Sequence, residues 1–476
     1  MSHQEAPAGG PDAPHTDGPS RLIEDLRAAV GEDCVSVDAA DLARYETGWR
    51  YGQGKARLVI KPRTTEHVAA AVKLCRAARI RIQPAGANTG LVAASTPDGT
   101  GEMAVLSLER LNRIVSADGG NGSVTVEGGV LLSQLNEALS GDGRVFPIDL
   151  GADPQIGAMI ATNTGGSRLV RYGDVRANLL GVEVVLPSGE IWSDLKGLRK
   201  NNTGLDAKQL FVGTSGAFGI VTGAVLKTWP LPKQRSGALA CATSGEAVLS
   251  LLARLEPDLG EFLTAFEAIS ANAASAVLRH GSLDRSPYDG DPPAYSVLIE
   301  LSSSVPSETL DLEELLGNAL MEHMESAEGD IEDVVVGDVK DFWHVRHQVS
   351  ESLREEGTVL GLDVSVPRSS MAVFTEEVTE KLAESHPFVT VADFGHWGDG
   401  GSHLNLVWDP AAAPESTKRE LQREVYGLCV NGYGGSYSAE HGVGPHNIDA
   451  YHEFTSSYVR NVCARIAPER FGTVDL

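Results

Sequence analysis

One stretch of 35 residues constrains the fold more than any other. RLVIKP (57–62) reads as a short strand, TTEHVAAAVKLCRAAR (64–79) as a helix opened by a threonine cap with Glu66 close behind, and RIRIQP (79–84) as a second strand by its alternation. Strand, helix and strand in that order make a βαβ unit. The loop that follows is PAGANTGL (84–91). Gly86, Asn88, Thr89 and Gly90 in such a loop expose successive backbone N–H groups, a nest that favours anions and above all a pyrophosphate. An ordinary turn fits the same residues. GxGxxG and a Walker lysine are both absent, so neither a Rossmann nor a P-loop site is supported.

The rest of the chain continues the mixture of helix and strand. RLIEDLRAAV (21–30) is an amphipathic helix, and GVEVVLPSGEIW (181–192) reads as a hairpin turning at Pro187, Ser188 and Gly189. FPIDLGADPQIGAMIATNTGGSRLVRYGDV (146–175) is crowded with small residues that let backbone approach a flat ligand closely. Pro230 and Pro232 mark a boundary, beyond which glycine thins out and longer helices appear. ETLDLEELLGNALMEHMES (308–326) carries a Leu and Met stripe that belongs to a core. In the helix VKDFWHVRHQVSESLRE (339–355), Arg346 and Ser350 share a face, being four apart.

With 476 residues the chain suits two to three domains. A net charge of −26 argues against nucleic acid or anionic membrane surfaces as partners, because both demand clustered Lys and Arg. The five cysteines (34, 75, 241, 429, 463) are scattered and form no CxxC pair. Neither a disulfide framework nor a thiolate metal site is supported, and a reducing cytoplasm fits. No apolar run reaches the length of a membrane span, and residues 1–20 read as a disordered tail without an apolar leader core.

Near the C-terminal end, FGHWGDGGSHLN (394–405) and SAEHGVG (438–444) bring His396, His403, Glu440 and His441 within fifty residues. Two imidazoles and a carboxylate are a ligand set for a catalytic divalent metal with open positions, and the remaining imidazole is free to act as a base. Chance proximity among 13 histidines and 52 glycines is the competing reading, since no HExxH-like spacing is present. On a strand, the odd step from His396 to His403 would set the side chains on opposite faces. Joint ligation therefore requires the glycines at 398, 400 and 401 to redirect the chain.

In their order along the chain, PAGANTGLVAAS, PIDLGADPQIGAMIATNTGG, RYGDV, KNNTGLDAKQLFVG and AEHGVG resemble the FAD-dependent D-2-hydroxyacid dehydrogenases of the vanillyl-alcohol oxidase and p-cresol methylhydroxylase fold. The D-2-hydroxyglutarate and D-lactate dehydrogenases are the most similar branches. The resemblance implies an α+β protein, with a FAD-binding domain of two α/β subdomains (21–232), an α+β cap for substrate (233–435), and a C-terminal segment (436–476) that returns to the FAD domain. It implies that FAD lies against Pro84, Ala85, Gly86, Ala87, Asn88, Thr89, Gly90 and Leu91. It extends that contact to Pro147, Gly151, Ile156, Gly157, Ala161, Thr162, Asn163, Gly165, Gly166, Tyr172, Gly173, Ile220 and Val221. No His or Cys stands in the 84–91 loop, so the flavin is expected to be noncovalent.

The same resemblance puts His396, His403 and Glu440 on a divalent metal, zinc being the expected one, with His441 as base and Asn405, Arg346 and Ser350 on the substrate. The implied reaction oxidises a D-2-hydroxy acid to the 2-oxo acid. Electrons would pass on to a quinone, an electron-transfer flavoprotein or a cytochrome, and a homodimer is the expected assembly. Two features depart from the family. Relatives specific for 2-hydroxyglutarate usually carry a basic residue just before the segment LDVSVP, where this chain has Gly361, and Gly401 with Ser402 replace an Asn and an apolar residue. A shorter or less charged acid than 2-hydroxyglutarate is therefore the expected substrate. A metal-free alcohol or sugar oxidase and a flavin carrier without its own substrate are the competing readings; the histidine, glutamate and asparagine set argues against both.

Overall fold

The computed structural model describes residues 18–326 and 331–476. Most of the expected N-terminal tail, residues 1–17, lies outside the described residues, while 18–20 open the helix Gly18–Val30.

The βαβ unit forms with one addition. The helix Thr65–Ala77 is capped by Thr64, whose hydroxyl accepts from the His67 amide. The strands it joins, Ala56–Ile60 and Ile82–Ala85, are not neighbours. Met103–Ser107 lies between them and runs parallel to both. All five of its residues (MAVLS) are buried, which suits the centre of a parallel sheet covered on both faces. Strand alternation divides that cover. Leu58, Ile60, Ala104 and Leu106 pack with the helices Gly18–Val30 and Thr65–Ala77, whereas Val59 and Val105 face Leu42, Tyr45 and Ala85.

A second, antiparallel sheet of five strands follows, in the order Ile114–Asp118, Ser123–Glu127, Ile220–Lys227, Leu179–Val185, Ile191–Asp194. Its last two strands are the hairpin expected around Ser188, with Gly189 at φ +79°. The sheet packs on the helix Ile156–Thr162, where Gly157 permits the closest approach. A Cβ there would stand 2.8 Å from the Val221 carbonyl oxygen.

From Gln234 the chain builds a seven-stranded antiparallel sheet. Its strand Gln234–Ala242 points Ala238, Ala240 and Ala242 into one core and Leu239 and Cys241 into the other. The second core is closed by Phe342, Val345, Val349 and Leu353 of the helix Val339–Glu356. Those inward positions leave Arg346 and Ser350 on the flank that lines the central cavity. The acidic helix Leu312–Glu325 buries Leu312, Leu316, Ala319 and Leu320, so the leucines of its stripe are core, whereas Met321 is exposed. The last residues cross back to the first sheets, the Phe471 amide donating to the Ala217 carbonyl and the Gly472 amide to that of Ile82.

Candidate active site

A cavity of about 520 Å³ lies between the glycine-rich sheets and the seven-stranded sheet. At one end Pro84 to Leu91 form its wall, with Gly151, Gly157, Ala161, Thr162, Gly166, Ile220 and Val221. Asn88 takes a left-handed conformation at φ +59°, held by its side-chain amide donating to the Thr47 carbonyl and its oxygen accepting from Ser95. That bend turns the loop into a concave nest suited to a diphosphate. At Gly90 and Gly151 a Cβ would meet nothing within 4 Å, so bare backbone faces open space, as a flat cofactor requires.

Six residues expected on the cofactor stand off this wall. Ile156 is core, and Pro147 does not reach the cavity. Asn163 (φ +54°) caps its helix and bonds Asp174 and the Arg176 amide. Gly165 packs on Leu169, Gly173 turns the chain at φ +72°, and Tyr172 is buried edge-on to Trp229. These residues shape the turns behind the wall. Trp49, Arg50 and Tyr51 join the wall instead, and no short motif marked them.

At the other end the strands deliver the polar groups in register. Thr390–Gly395 and Gly401–Trp408 form a hairpin that pairs Phe394 with His403 and Ala392 with Asn405. Thr358–Ser365 runs along its other side, placing Asp363 beside His403 and Gly361 beside Asn405. The turn between the strands carries His396. It depends on Gly395 (φ +136°) and Gly400 (φ +90°), and a Cβ at Gly400 would stand 2.5 Å from the Val366 carbonyl oxygen. The left-handed angles are thus at Gly395 and Gly400 and not at Gly398 or Gly401, while Gly398 is needed for space, since a Cβ there would stand 2.9 Å from Phe266 Cβ.

Glu440 Oε1 lies 3.5 Å from His396 Nε2, 3.4 Å from His403 Nε2 and 3.9 Å from His441 Nε2. Asp363 also approaches, and ligand-type atoms of Asp363, His403, Glu440 and His441 fall within 4.8 Å of one another. Its role differs, because Asp363 Oδ2 already accepts the backbone amides of Glu440 (2.9 Å) and His441 (2.8 Å). Asp363 thus holds the Glu440–His441 loop, and His396, which stands outside that group, turns its Nε2 toward Glu440 beside that of His403. Two imidazole nitrogens converging on one carboxylate oxygen suit a divalent cation with open positions.

Electrostatics agree with a charge-dense centre. Burial opposes ionisation of Glu440, yet His396, His403 and His441 hold its carboxyl well below the usual range. Burial likewise works against protonating His396, but Glu267 and Glu440 raise it well above an ordinary histidine. His403 goes the other way, lowered by burial and by its cationic neighbours. Arg346, Ser350, Asn405 and Gly361 all line this end of the cavity.

The residues missed in sequence are Asp363 and Glu267. Glu267 is 1% exposed, accepts from Arg346 Nε at 2.7 Å, and lies 2.5 Å from His396 Nδ1. Its signal was a lone acid in the apolar strand LTAFEAIS, a residue type buried only with partners.

The chain matches two families: the FAD binding domain over residues 56–194, and the C-terminal domain of FAD linked oxidases over 231–462. It is 35% identical to a Schizosaccharomyces pombe protein provisionally named a mitochondrial D-lactate dehydrogenase, covering 86% of this chain and 78% of that one. It is 33% identical to the mitochondrial D-2-hydroxyglutarate dehydrogenase of Bos taurus, covering 86% and 74%. The chain belongs to the FAD-dependent D-2-hydroxyacid dehydrogenase family. In fold it is similar to p-cresol methylhydroxylase, with a TM-score of 0.69 at 17% identity over 95% of this chain and 94% of that one.

The relatives correct one expectation. Both are named mitochondrial, as is the Arabidopsis thaliana D-2-hydroxyglutarate dehydrogenase (32% identical over 89% of this chain and 75% of that one), which points away from the cytoplasm. Among the described residues no helix is long and apolar enough to cross a membrane.

Proposed function

We propose that this FAD-dependent oxidoreductase converts a D-2-hydroxy acid to the 2-oxo acid with the help of a divalent metal, zinc being the expected ion. The observation that carries the reading is the convergence of His396 Nε2 and His403 Nε2 on Glu440 Oε1 beneath a cavity whose far end is a glycine nest. When bound, FAD supplies the hydride acceptor and the metal a Lewis acid for the α-hydroxyl and carboxylate.

The chain's own residues do the rest. His441 takes the hydroxyl proton, its backbone fixed by Asp363. Asn405 and Ser350 orient the substrate from neighbouring strand and helix, and Arg346 meets a group at the distal end. The Arg346 guanidinium is held against the Phe394 ring at 4.5 Å, with its charge partly answered by Glu267. Gly361 adds no cation, so Arg346 is the only charged member of the expected distal contacts, which favours a substrate shorter or less charged than the five-carbon diacid. The flavin is noncovalent in this reading and its electrons leave to an external acceptor.

Anaerobic mixing with D- and L-2-hydroxy acids is the test. Bleaching of the flavin by D-acids alone supports the assignment. Bleaching by none of them, with an alcohol or sugar reducing the flavin instead, overturns it.

A further inference from the structure

We propose that Glu267 is a positioning residue that couples the two ends of the substrate site, setting His396 as a ligand with one carboxylate oxygen and Arg346 as the distal clamp with the other. The inference rests on the roles given above to His396 and Arg346, and it adds a residue that touches neither substrate nor cofactor.

Glu267 belongs to the strand Leu263–Ser270, seven of whose eight residues are buried. A carboxylate in that setting must be fully paired, and this one is paired twice. Its Oε1 lies 2.5 Å from His396 Nδ1, and its Oε2 2.7 Å from Arg346 Nε. The strand register explains the reach, since Ala268 pairs with Gly395, next to His396.

Each bond fixes a function. A histidine that donates from Nδ1 keeps the lone pair of Nε2 for a metal, and Nε2 of His396 is the atom facing Glu440 at 3.5 Å. An arginine bound at Nε and lying 4.5 Å from the Phe394 ring centroid has its plane set from two sides, which leaves its terminal N–H groups for the cavity. Only a carboxylate accepts on both oxygens. The side-chain amide introduced by Glu267→Gln has one acceptor and one donor end, so it must fail either His396 or Arg346.

The test uses full-length, FAD-loaded protein stripped with a chelator and titrated with zinc, followed by steady-state kinetics at saturating zinc with D-2-hydroxyglutarate and D-lactate. For Glu267→Gln we expect an unchanged flavin spectrum, and either zinc dissociation constants 10- to 100-fold higher or a diacid-to-monoacid KM ratio raised about tenfold. Glu267→Asp keeps both acceptors and should recover most of the lost function; should Glu267→Gln fail to hold FAD, Glu267→Asp is expected to show smaller changes of the same kind. Zinc affinity and KM ratio both within twofold of wild type in a folded variant overturn the coupling. A wild type that takes up no zinc overturns the metal reading itself and with it the role at His396.

Discussion

Gly361→Lys restores the cation that the strand Thr358–Ser365 lacks. The position is open: a Cβ there meets only Asn405 Oδ1, at 3.3 Å, and the Asn405 amide must give by a few tenths of an ångström. That amide donates to the His403 carbonyl at 2.9 Å and, at the longer distance of 3.5 Å, to that of Ala392, so the shift is opposed by one ordinary and one weak hydrogen bond. A charge-assisted hydrogen bond to a distal carboxylate contributes roughly 1.5 to 3 kcal/mol net, and displacing Asn405 costs about 0.5 to 1.5 kcal/mol. At the midpoints the difference leaves about 1.2 kcal/mol, roughly an eightfold gain in kcat/KM for D-2-hydroxyglutarate, with no gain for D-lactate. Initial rates with an artificial electron acceptor, measured for both acids on both proteins, give the ratio directly. Equal changes for the two acids would refute the argument. So would a wild type that already prefers D-2-hydroxyglutarate far above D-lactate or D-malate, since Arg346 and Ser350 would then suffice.

His441→Ala should lower turnover by about 10²- to 10⁴-fold while FAD and zinc contents stay at wild-type levels; reduction of its flavin at the wild-type rate would remove His441 from the chemistry. Asp363→Asn keeps an oxygen for the Glu440 and His441 amides, which share Oδ2, but strips the charge from both hydrogen bonds, so a loss of roughly 2 kcal/mol of stability is expected in urea unfolding together with slower turnover, and an unchanged midpoint contradicts the loop-holding role. Asp393 is pushed up to about 6 by burial, despite its bonds from Ser402 and Trp397. A raised carboxyl favours the protonated fold, so its contribution is full below about pH 4 and fades as pH rises to about 6. Wild type should therefore lose about 3 kcal/mol relative to Asp393→Asn between those limits; parallel pH profiles of the two proteins would refute it.

Much of the fold was legible because hydrophobic period and caps act locally. Thr64, the alternation of 79–84 and the Ser188 hairpin each needed only neighbouring residues to be read. The insertion of Met103–Ser107 between the first two strands was not legible, because strand order is set by distant packing. The histidines, Glu440 and Asn405 were visible as chemistry-bearing residues amid glycine, and Arg346 by sharing a helix face with Ser350. Glu267 and Asp363 were not, since each acts through pairing across strands far apart in sequence. Residues such as Ile156 and Tyr172 travel with the cofactor motifs yet serve the packing behind them.

The central claim is that metal held at His396, His403 and Glu440 is needed for oxidation of the substrate but not for holding the flavin. Metal analysis of purified protein, combined with anaerobic flavin bleaching by a D-2-hydroxy acid before and after chelation, tests it most directly. About one divalent ion per chain is expected, with bleaching lost on chelation and restored by zinc and a bound-flavin spectrum that persists throughout. Full bleaching by protein shown to contain no metal would contradict it.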